Sequence, residues 1–280
     1  MSSKTQYDNE RVFRKNMPLL PPLTQQIDQL RVEIYPELTD LVSNLVDRIQ
    51  QYLQAVIEQQ GSAAIILASG SSQIQLLKTL TGQSVIDWSK VTCFHLDEYL
   101  GISAEHPASF QRYMQELVAE QVPVHNFHYL NSASLEPIAE CRRYGKLLAA
   151  QPIDLCLLGI GDNGHIAFND PLVANFTDPD PVKIVKLAEK SRQQQVDVGF
   201  FPELSAVPQY AMTLTIPSIC RAQQIYCVAT GQRKAAIIQN FLTAPVAAQL
   251  PATILRQQPT ATLCLDTAAA SLFSSNNSFL

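Results

Sequence analysis

The sequence predicts an α/β fold with a mainly parallel sheet flanked by helices on both faces. Two observations support this fold class. Short apolar runs of the kind that form buried strands alternate with segments of helical periodicity along most of the chain. Polar or glycine-containing turns follow several of these runs, as is typical of strands that end at one edge of a parallel sheet.

The chain divides into a polar, proline-interrupted N-terminal extension over residues 1–28 and a single domain over residues 29–280. The extension lacks the continuous apolar segment of a signal peptide. We expect residues 32–35 to form an edge strand and a small-residue tail to follow the last strand. The other expected elements are helices at 36–60, 73–80, 108–119, 135–150 and 191–199, and strands at 63–68, 91–96, 126–130, 155–158, 182–187, 211–216, 224–229 and 261–266.

Composition excludes several classes of function. Of the 280 residues, 46% are hydrophobic, and the net charge is −5. This charge, with no basic run, gives no indication of nucleic-acid binding, and no apolar stretch approaches the ~18 residues of a transmembrane helix. The 6 cysteines form no Cys-x-x-Cys pair. We therefore expect reduced thiols in a cytoplasmic protein, without disulfides or a metal site.

The most informative stretch is 155–171, an apolar run that breaks into three glycines and then presents His165 and Asp170. The run predicts a buried parallel strand. Because ligands collect beyond the carboxyl ends of such strands, the titratable groups are well placed for chemistry. The Gly-x-Gly-x-x-Gly spacing also occurs in dinucleotide sites, but Pro171 interrupts the chain where a long helix should follow, which argues against that function.

A second polar turn links the strand at 63–68 to the helix at 73–80. Backbone N–H groups and hydroxyls at such a turn can bind an anion. Capping of the helix by Ser71 or Ser72 is the commoner role for these residue types. The turn consists of Ser69, Gly70, Ser71 and Ser72.

Two adjacent carboxylates, Asp97 and Glu98, follow the strand at 91–96. On a strand end their side chains point to opposite sides, so only one of them can face a given cleft. The other is expected to lie in a solvated loop or to pair with a basic group.

Three motifs together resemble the glucosamine-6-phosphate deaminase (isomerase) family, which shares a Rossmann-like, three-layer sugar-phosphate fold with the 6-phosphogluconolactonases. They are Leu-Asp-Glu-Tyr-Leu-Gly at 96–101, His-Pro-Ala-Ser-Phe at 106–110 and Asn-Gly-His-Ile-Ala-Phe-Asn-Asp-Pro at 163–171. The resemblance implies conversion of glucosamine 6-phosphate to fructose 6-phosphate with release of ammonia. It implies an amino-sugar phosphate as the partner, and neither a metal nor an organic cofactor. A homo-oligomer is compatible with the sequence.

The resemblance also implies roles for the catalytic residues. Asp97 moves the substrate proton between C2 and C1, His165 assists ring opening, and Asp170 orients that histidine. Asn163 stands where relatives have Asp or Asn. These roles are chemically sound, because isomerisation needs a carboxylate near an acidified C–H and a group that exchanges protons near neutral pH.

For the substrate's phosphate, the resemblance implies binding by the Ser69–Ser72 turn and by Lys234, and Glu98 is included among the substrate-binding residues. Relatives have an arginine directly before a Phe-Phe pair, where this chain has Gly199. Candidates to replace it are Arg192, Arg233 and Arg256. The chain also has Asp170 where the best-known relatives have Glu, and Ser-Gly-Ser-Ser-Gln at 69–73 where they have Thr-Gly-Gly-Thr-Pro.

Two other functions are compatible with the fold. Hydrolases of the 6-phosphogluconolactonase type carry Asp-Glu-Arg and Asp-Gly-His-Thr where this chain has Asp-Glu-Tyr at 97–99 and Asn-Gly-His-Ile at 163–166. Both differences favour the deaminase. A sugar-phosphate-binding regulator without turnover is the second alternative, although such a protein has no need of the base Asp97.

Overall fold

The main sheet contains eight strands, in a computed structural model that describes residues 21–197 and 199–274. Numbered in chain order, its strands are β1 Leu23–Ile27, β2 Leu30–Tyr35, β3 Ala63–Leu67, β4 Val91–His95, β6 Asn126–His128, β7 Leu155–Gly159, β10 Gln224–Ala229 and β11 Ala261–Asp266. Their order across the sheet is β1-β2-β11-β10-β7-β3-β4-β6. Neighbouring strands run parallel except β1 and β2, which form an antiparallel hairpin.

A second, antiparallel sheet has the order β5-β9-β8, with β5 at Asp97–Tyr99, β8 at Val182–Lys186 and β9 at Tyr210–Leu214. Two of these strands, β8 and β9, were predicted, but a second sheet was not. Leu96 explains the separation. Its N–H donates to the carbonyl of Leu67 on β3, at 3.2 Å, while its own carbonyl accepts from Leu214 on β9, at 2.8 Å. The chain therefore passes from one sheet to the other at this residue.

Helices cover both faces of the main sheet, as predicted. One face packs against α1 and α2, and the other against α4, α6, α7 and α8. The helices are α1 Leu38–Gln60, α2 Ser71–Gly82, α3 Phe110–Met114, α4 Pro137–Ala149, α5 Glu189–Asp197, α6 Ile216–Cys220, α7 Ala235–Thr243 and α8 Thr267–Ser274. Short 3-10 turns lie at Trp88–Lys90, Leu204–Ala206, Gln232–Lys234 and Pro251–Gln257, and a π turn at Gln115–Ala119.

Helix α1 forms as its sequence predicts. Apolar residues spaced by three and four place one stripe against the sheet, and the helix ends at Gly61, whose positive φ of 87° lets its N–H bond to the carbonyl of Ile57. The buried stripe includes Leu41, Val42, Leu45, Val46, Ile49, Leu53 and Ile57.

Both ends of the domain differ from prediction. Residues 32–35 belong to β2, which has a neighbour on each side, so the edge strand is β1, formed by residues 23–27 of the predicted extension. Residues 1–20 of that extension lie outside the described part of the chain. The predicted small-residue tail forms helix α8 as far as residue 274.

The central strands determine where polar turns meet. Strands β10, β7, β3 and β4 are consecutive parallel neighbours, so their carboxyl ends lie at the same edge of the sheet.

Among residues 21–197 and 199–274, no helix has the length and apolarity needed to cross a bilayer. The cysteines are free, and all but the half-buried Cys220 are buried, as predicted for reduced thiols.

Candidate active site

The turn after β7 brings the ring of His165 against the backbone. Gly161 donates its N–H to the carbonyl of His165 at 2.9 Å, which closes the turn. A Cβ at position 161 would lie only 2.1 Å from Cε1 of His165, so a side chain there would displace the ring. Gly164 has a φ of 82°, and a Cβ there would lie 2.2 Å from Leu250. The two glycines therefore allow the placement of His165.

Nδ1 of His165 faces two acceptors. It lies 2.8 Å from Oδ1 of Asn163 and 3.2 Å from Oδ1 of Asp170. The Asn163 amide nitrogen also donates to Asp170, at 2.7 Å. Because both groups accept hydrogen bonds, they favour the tautomer with the proton on Nδ1, which leaves Nε2 free to accept a proton. Asn163 thus contacts both His165 and Asp170. We refer to these three residues as the relay.

Asp170 remains a carboxylate although it is only 2% exposed. Burial alone would raise its pKa, but the hydrogen bond and charge of His165, with hydrogen bonds from Asn163 and Ser191, hold the pKa of Asp170 below its ordinary value. The predicted contact between Asp170 and His165 is present in the structure.

Asp97 lies on β5, next to the loop that carries His165. It pairs in register with Thr213 on β9, and the Thr213 hydroxyl accepts the N–H of Phe168 at 3.1 Å. Asp97 is 7% exposed. Burial, followed by the nearby charge of Glu98, raises its pKa well above the ordinary value, while the N–H of Phe168 opposes that shift. A carboxylate with a raised pKa is a stronger proton acceptor.

Glu98 points to the opposite side of β5 and is fully buried. Its carboxylate accepts the N–H groups of Tyr99 at 3.0 Å, Phe110 at 3.1 Å and Gln111 at 2.7 Å, and the hydroxyl of Ser109 at 2.9 Å. These donors belong to β5 and to the start of α3. The predicted contact of Glu98 with substrate therefore has no support here, and the side chain anchors the first turn of α3.

The turn Ser69–Ser72 lies against the end of β7. A Cβ added to Gly159 would lie 3.5 Å from the Ser72 hydroxyl, and the Gln73 amide donates to the carbonyl of Leu158 at 3.1 Å. Helix α2 begins at Ser71 with Gly70 as its N-cap, and no side chain caps it. The predicted capping by Ser71 or Ser72 is therefore wrong. The turn keeps the geometry of an anion site at a helix N-terminus.

Lys234 reaches the same end of β7 from the turn after β10. Its Nζ donates to the carbonyl of Ile160 at 2.7 Å and to Asp162 at 2.6 Å. Nε of Arg233 donates to the other carboxylate oxygen of Asp162 at 2.9 Å. Burial would raise the pKa of Asp162, but the bonds and charges of Lys234 and Arg233 hold it below the ordinary value.

Of the three candidate arginines, Arg233 is the one next to Lys234. Arg192 donates to the carbonyls of Leu204 and Val207, each at 2.7 Å. Arg256 pairs with Asp28 at 2.6 Å and precedes β11, so it lies at the opposite, amino end of the strands. Gly199 has a φ of 84° and provides no cation.

Sequence reasoning did not include Asp162 and Ser191 among the site residues. Asp162 could have been found, because it is a charged residue within the glycine turn. Ser191 could not, since it lies 21 positions from Asp170, in a segment without a motif, yet its hydroxyl is 3.1 Å from Oδ1 of that residue.

We expect Glu98→Gln to lower the free energy of unfolding by about 2 kcal/mol, because the new amide NH₂ would face N–H donors that now have an acceptor. Chemical denaturation measures this change. The control is Glu105→Gln, an exposed acceptor in the loop between β5 and α3. Equal stability of the two variants would show that Glu98 does not anchor α3.

Asn163→Asp should raise the pKa of Asp170, because the carboxylate loses the amide donor 2.7 Å away and gains a neighbouring negative charge. Carboxyl ¹³C titration by NMR measures the pKa, with the exposed Asn175→Asp variant as the control. A titration of Asp170 that is the same in both variants would contradict the proposed contact.

Known proteins resemble this chain in sequence and fold. Residues 36–264 match the family model described as glucosamine-6-phosphate isomerases/6-phosphogluconolactonase. A glucosamine-6-phosphate deaminase of Exiguobacterium sp. is 39% identical over 205 residues, which are 73% of this chain and 78% of the relative. One from Bacillus cereus is 34% identical over 222 residues, 79% of this chain and 82% of the relative.

Solved structures give the same result for the fold. A monomeric glucosamine-6-phosphate deaminase superposes with a TM-score of 0.77 at 27% identity, covering 86% of this chain and 99% of the other. A 6-phosphogluconolactonase from Shewanella baltica has a TM-score of 0.70 at 21% identity, covering 86% of this chain and all of the other. With its Rossmann-like, three-layer architecture and the family model matched over most of its length, the chain belongs to the family of glucosamine-6-phosphate isomerases and 6-phosphogluconolactonases.

Proposed function

We propose that this protein is a glucosamine-6-phosphate deaminase, which converts glucosamine 6-phosphate and water to fructose 6-phosphate and ammonia. The observation that carries the proposal is the position of the buried Asp97 beside the loop that holds the His165–Asn163–Asp170 relay. The relatives that bear this name, at 34–39% identity, support it. The free, mostly buried cysteines support a cytoplasmic location.

Ring opening is the first step and is assigned to His165. The ring proton rests on Nδ1, facing Asn163 and Asp170, so Nε2 can accept the proton of the C1 hydroxyl and return it to the ring oxygen. The product is the open-chain aldehyde. Asp170 stabilises the positively charged imidazolium that forms transiently.

Proton transfer from C2 to C1 is assigned to Asp97. Its carboxylate accepts the proton from C2 and delivers it to C1, while one proton of the C2 ammonium group passes to the C1 oxygen. The C1 aldehyde thereby becomes a CH₂OH group and C2 becomes an iminium carbon. Water then adds to C2 and ammonia leaves, which gives the ketone. The burial that raises the pKa of Asp97 also limits the access of water to the base.

The phosphate is assigned to the turn Ser69–Ser72 together with Lys234 and Arg233. Both cations share the single carboxylate of Asp162, so this group of three carries a net charge of +1. Backbone N–H groups at the start of α2 supply further donors. Arg233, whose side chain is 59% exposed, takes the role of the arginine that relatives have at the position of Gly199.

The lactonase alternative differs in its product. A lactonase opens an ester with water and releases no ammonia, and it needs no carboxylate that accepts a proton from C2. Ammonia release from glucosamine 6-phosphate, measured beside hydrolysis of 6-phosphogluconolactone, separates the two enzymes. A regulator would bind the sugar phosphate and turn over neither compound.

Asp97→Asn should lower kcat at least ~10²-fold with little change in substrate binding, because it keeps the shape of the side chain but cannot accept the proton. In the wild type, kcat/KM should rise with pH through the raised pKa of Asp97 in the free enzyme, since the base acts when deprotonated. Ammonia release measures both. The control is Asp87→Asn at the surface, and activity of Asp97→Asn within a few-fold of this control would exclude Asp97 as the base.

Lys234→Ala should weaken binding of glucosamine 6-phosphate about 10- to 150-fold, because it removes one charge-assisted hydrogen bond to phosphate. Binding of unphosphorylated glucosamine should change far less. Calorimetric titration with both sugars measures this, and Arg233→Ala should show a smaller loss in the same direction. The control is Lys78→Ala, an exposed lysine on α2. An unchanged preference for the phosphorylated sugar would remove Lys234 from the phosphate site.

A further inference from the structure

The relay carboxylate receives a hydrogen bond from outside its own turn. The hydroxyl of Ser191, on helix α5, lies 3.1 Å from Oδ1 and 3.2 Å from Oδ2 of Asp170. We propose that Ser191 is a positioning residue, which acts through Asp170 to keep His165 in its reactive orientation. This inference rests on the proposed function, because it assigns a role within the same site.

The contacts of Asp170 explain why this hydroxyl is needed. Asn163 and His165 both contact Oδ1, at 2.7 Å and 3.2 Å. The hydroxyl of Ser191 reaches Oδ2 as well, so it lies across the two oxygens. The carboxylate is almost fully buried, so an oxygen that lost its donor would be left without water as a substitute. Ser191 therefore opposes rotation of the carboxylate away from His165.

Helix α5 packs against the core through the partly buried Val196 and is otherwise held by polar contacts. It has no fully buried residue among those described. Ser191 joins it to Asp170, and the next residue, Arg192, joins it to the carbonyls of Leu204 and Val207. Two consecutive side chains thus link the relay to the 3-10 turn at Leu204–Ala206. A displacement of α5 would remove the Ser191 donor from Asp170, so the position of this helix and the orientation of His165 are coupled.

The charged surroundings of Asp170 define what a titration would report. His165 contacts the carboxylate from its own turn. Asp97 lies on the neighbouring β5, and Lys183 on β8 donates to the carbonyl of Val173, a residue whose N–H bonds to the backbone of Asp170. These groups are unchanged when Ser191 is replaced, so a difference between variants reports the lost hydroxyl.

The experiment compares Ser191→Thr with Ser191→Val, which have nearly the same shape and differ in the hydroxyl. We expect Ser191→Val to lower kcat for ammonia release about 10-fold, the scale of one lost hydrogen bond to a charged group, with little change in KM. Ser191→Thr should retain most of the activity. The control for α5 is Gln193→Ala, an exposed residue of the same helix.

Carboxyl ¹³C NMR provides a readout that does not depend on turnover. In Ser191→Val the pKa of Asp170 should rise, because one donor to its charged form is lost, and in Ser191→Thr it should stay at the wild-type value. Equal titration of Asp170 and equal kcat in the two variants would overturn the proposal.

The same data separate this proposal from the proposed function. A wild-type protein that releases no ammonia would refute the deaminase, while the Asp170 titration would still decide whether Ser191 supports the carboxylate. If the valine variant lowered kcat without changing the pKa of Asp170, Ser191 would serve the packing of α5 and its positioning role would be wrong.

Discussion

Desolvation of the Asp170 carboxylate is the constraint on which the candidate site depends. A charge that is 2% exposed must replace its lost water with donors, and Asp170 obtains them from Asn163, His165 and Ser191. Each of these hydrogen bonds also fixes the position of its donor side chain. The amide orients the histidine ring, the ring fills the space that Gly161 leaves open, and the serine fixes one helix. The polar geometry of the turn after β7 follows from the requirements of one buried carboxylate.

The two consecutive acidic residues of β5 lie in different environments. Asp97 and Glu98 point to opposite sides, and only the first lies beside the relay. The Glu98 carboxylate accepts hydrogen bonds from four donors, three of them at the start of α3. Burial raises the pKa of both carboxyl groups, and for Glu98 these donors oppose the shift. Under the proposed function, Asp97 acts as the base, while Glu98 stabilises the fold around it.

Much of this architecture could be predicted from sequence, and the failures have physical causes. The strands β3, β4, β7, β10 and β11 were predictable because each is a continuous apolar run buried on both faces. The residues of the His165 turn were predictable from one short motif. The small antiparallel sheet was not, since strand length and composition do not reveal which neighbour a strand will pair with. Nor was the contact of Ser191 with Asp170, which depends on how a short helix without buried residues packs in space.

The passage of the chain between sheets at Leu96 has a consequence for selectivity. Leu96 is bonded to β3 through its N–H and to β9 through its carbonyl. The turn Ser69–Ser72 follows β3 and Asp97 follows Leu96, so the hydrogen bond between Leu96 and Leu67 fixes the separation of the turn and the carboxylate. Under the proposed function, this separation selects substrates by the distance between their phosphate and their acidic C–H. A sugar phosphate with one carbon fewer between its phosphate and its acidic C–H would leave that hydrogen short of the carboxylate.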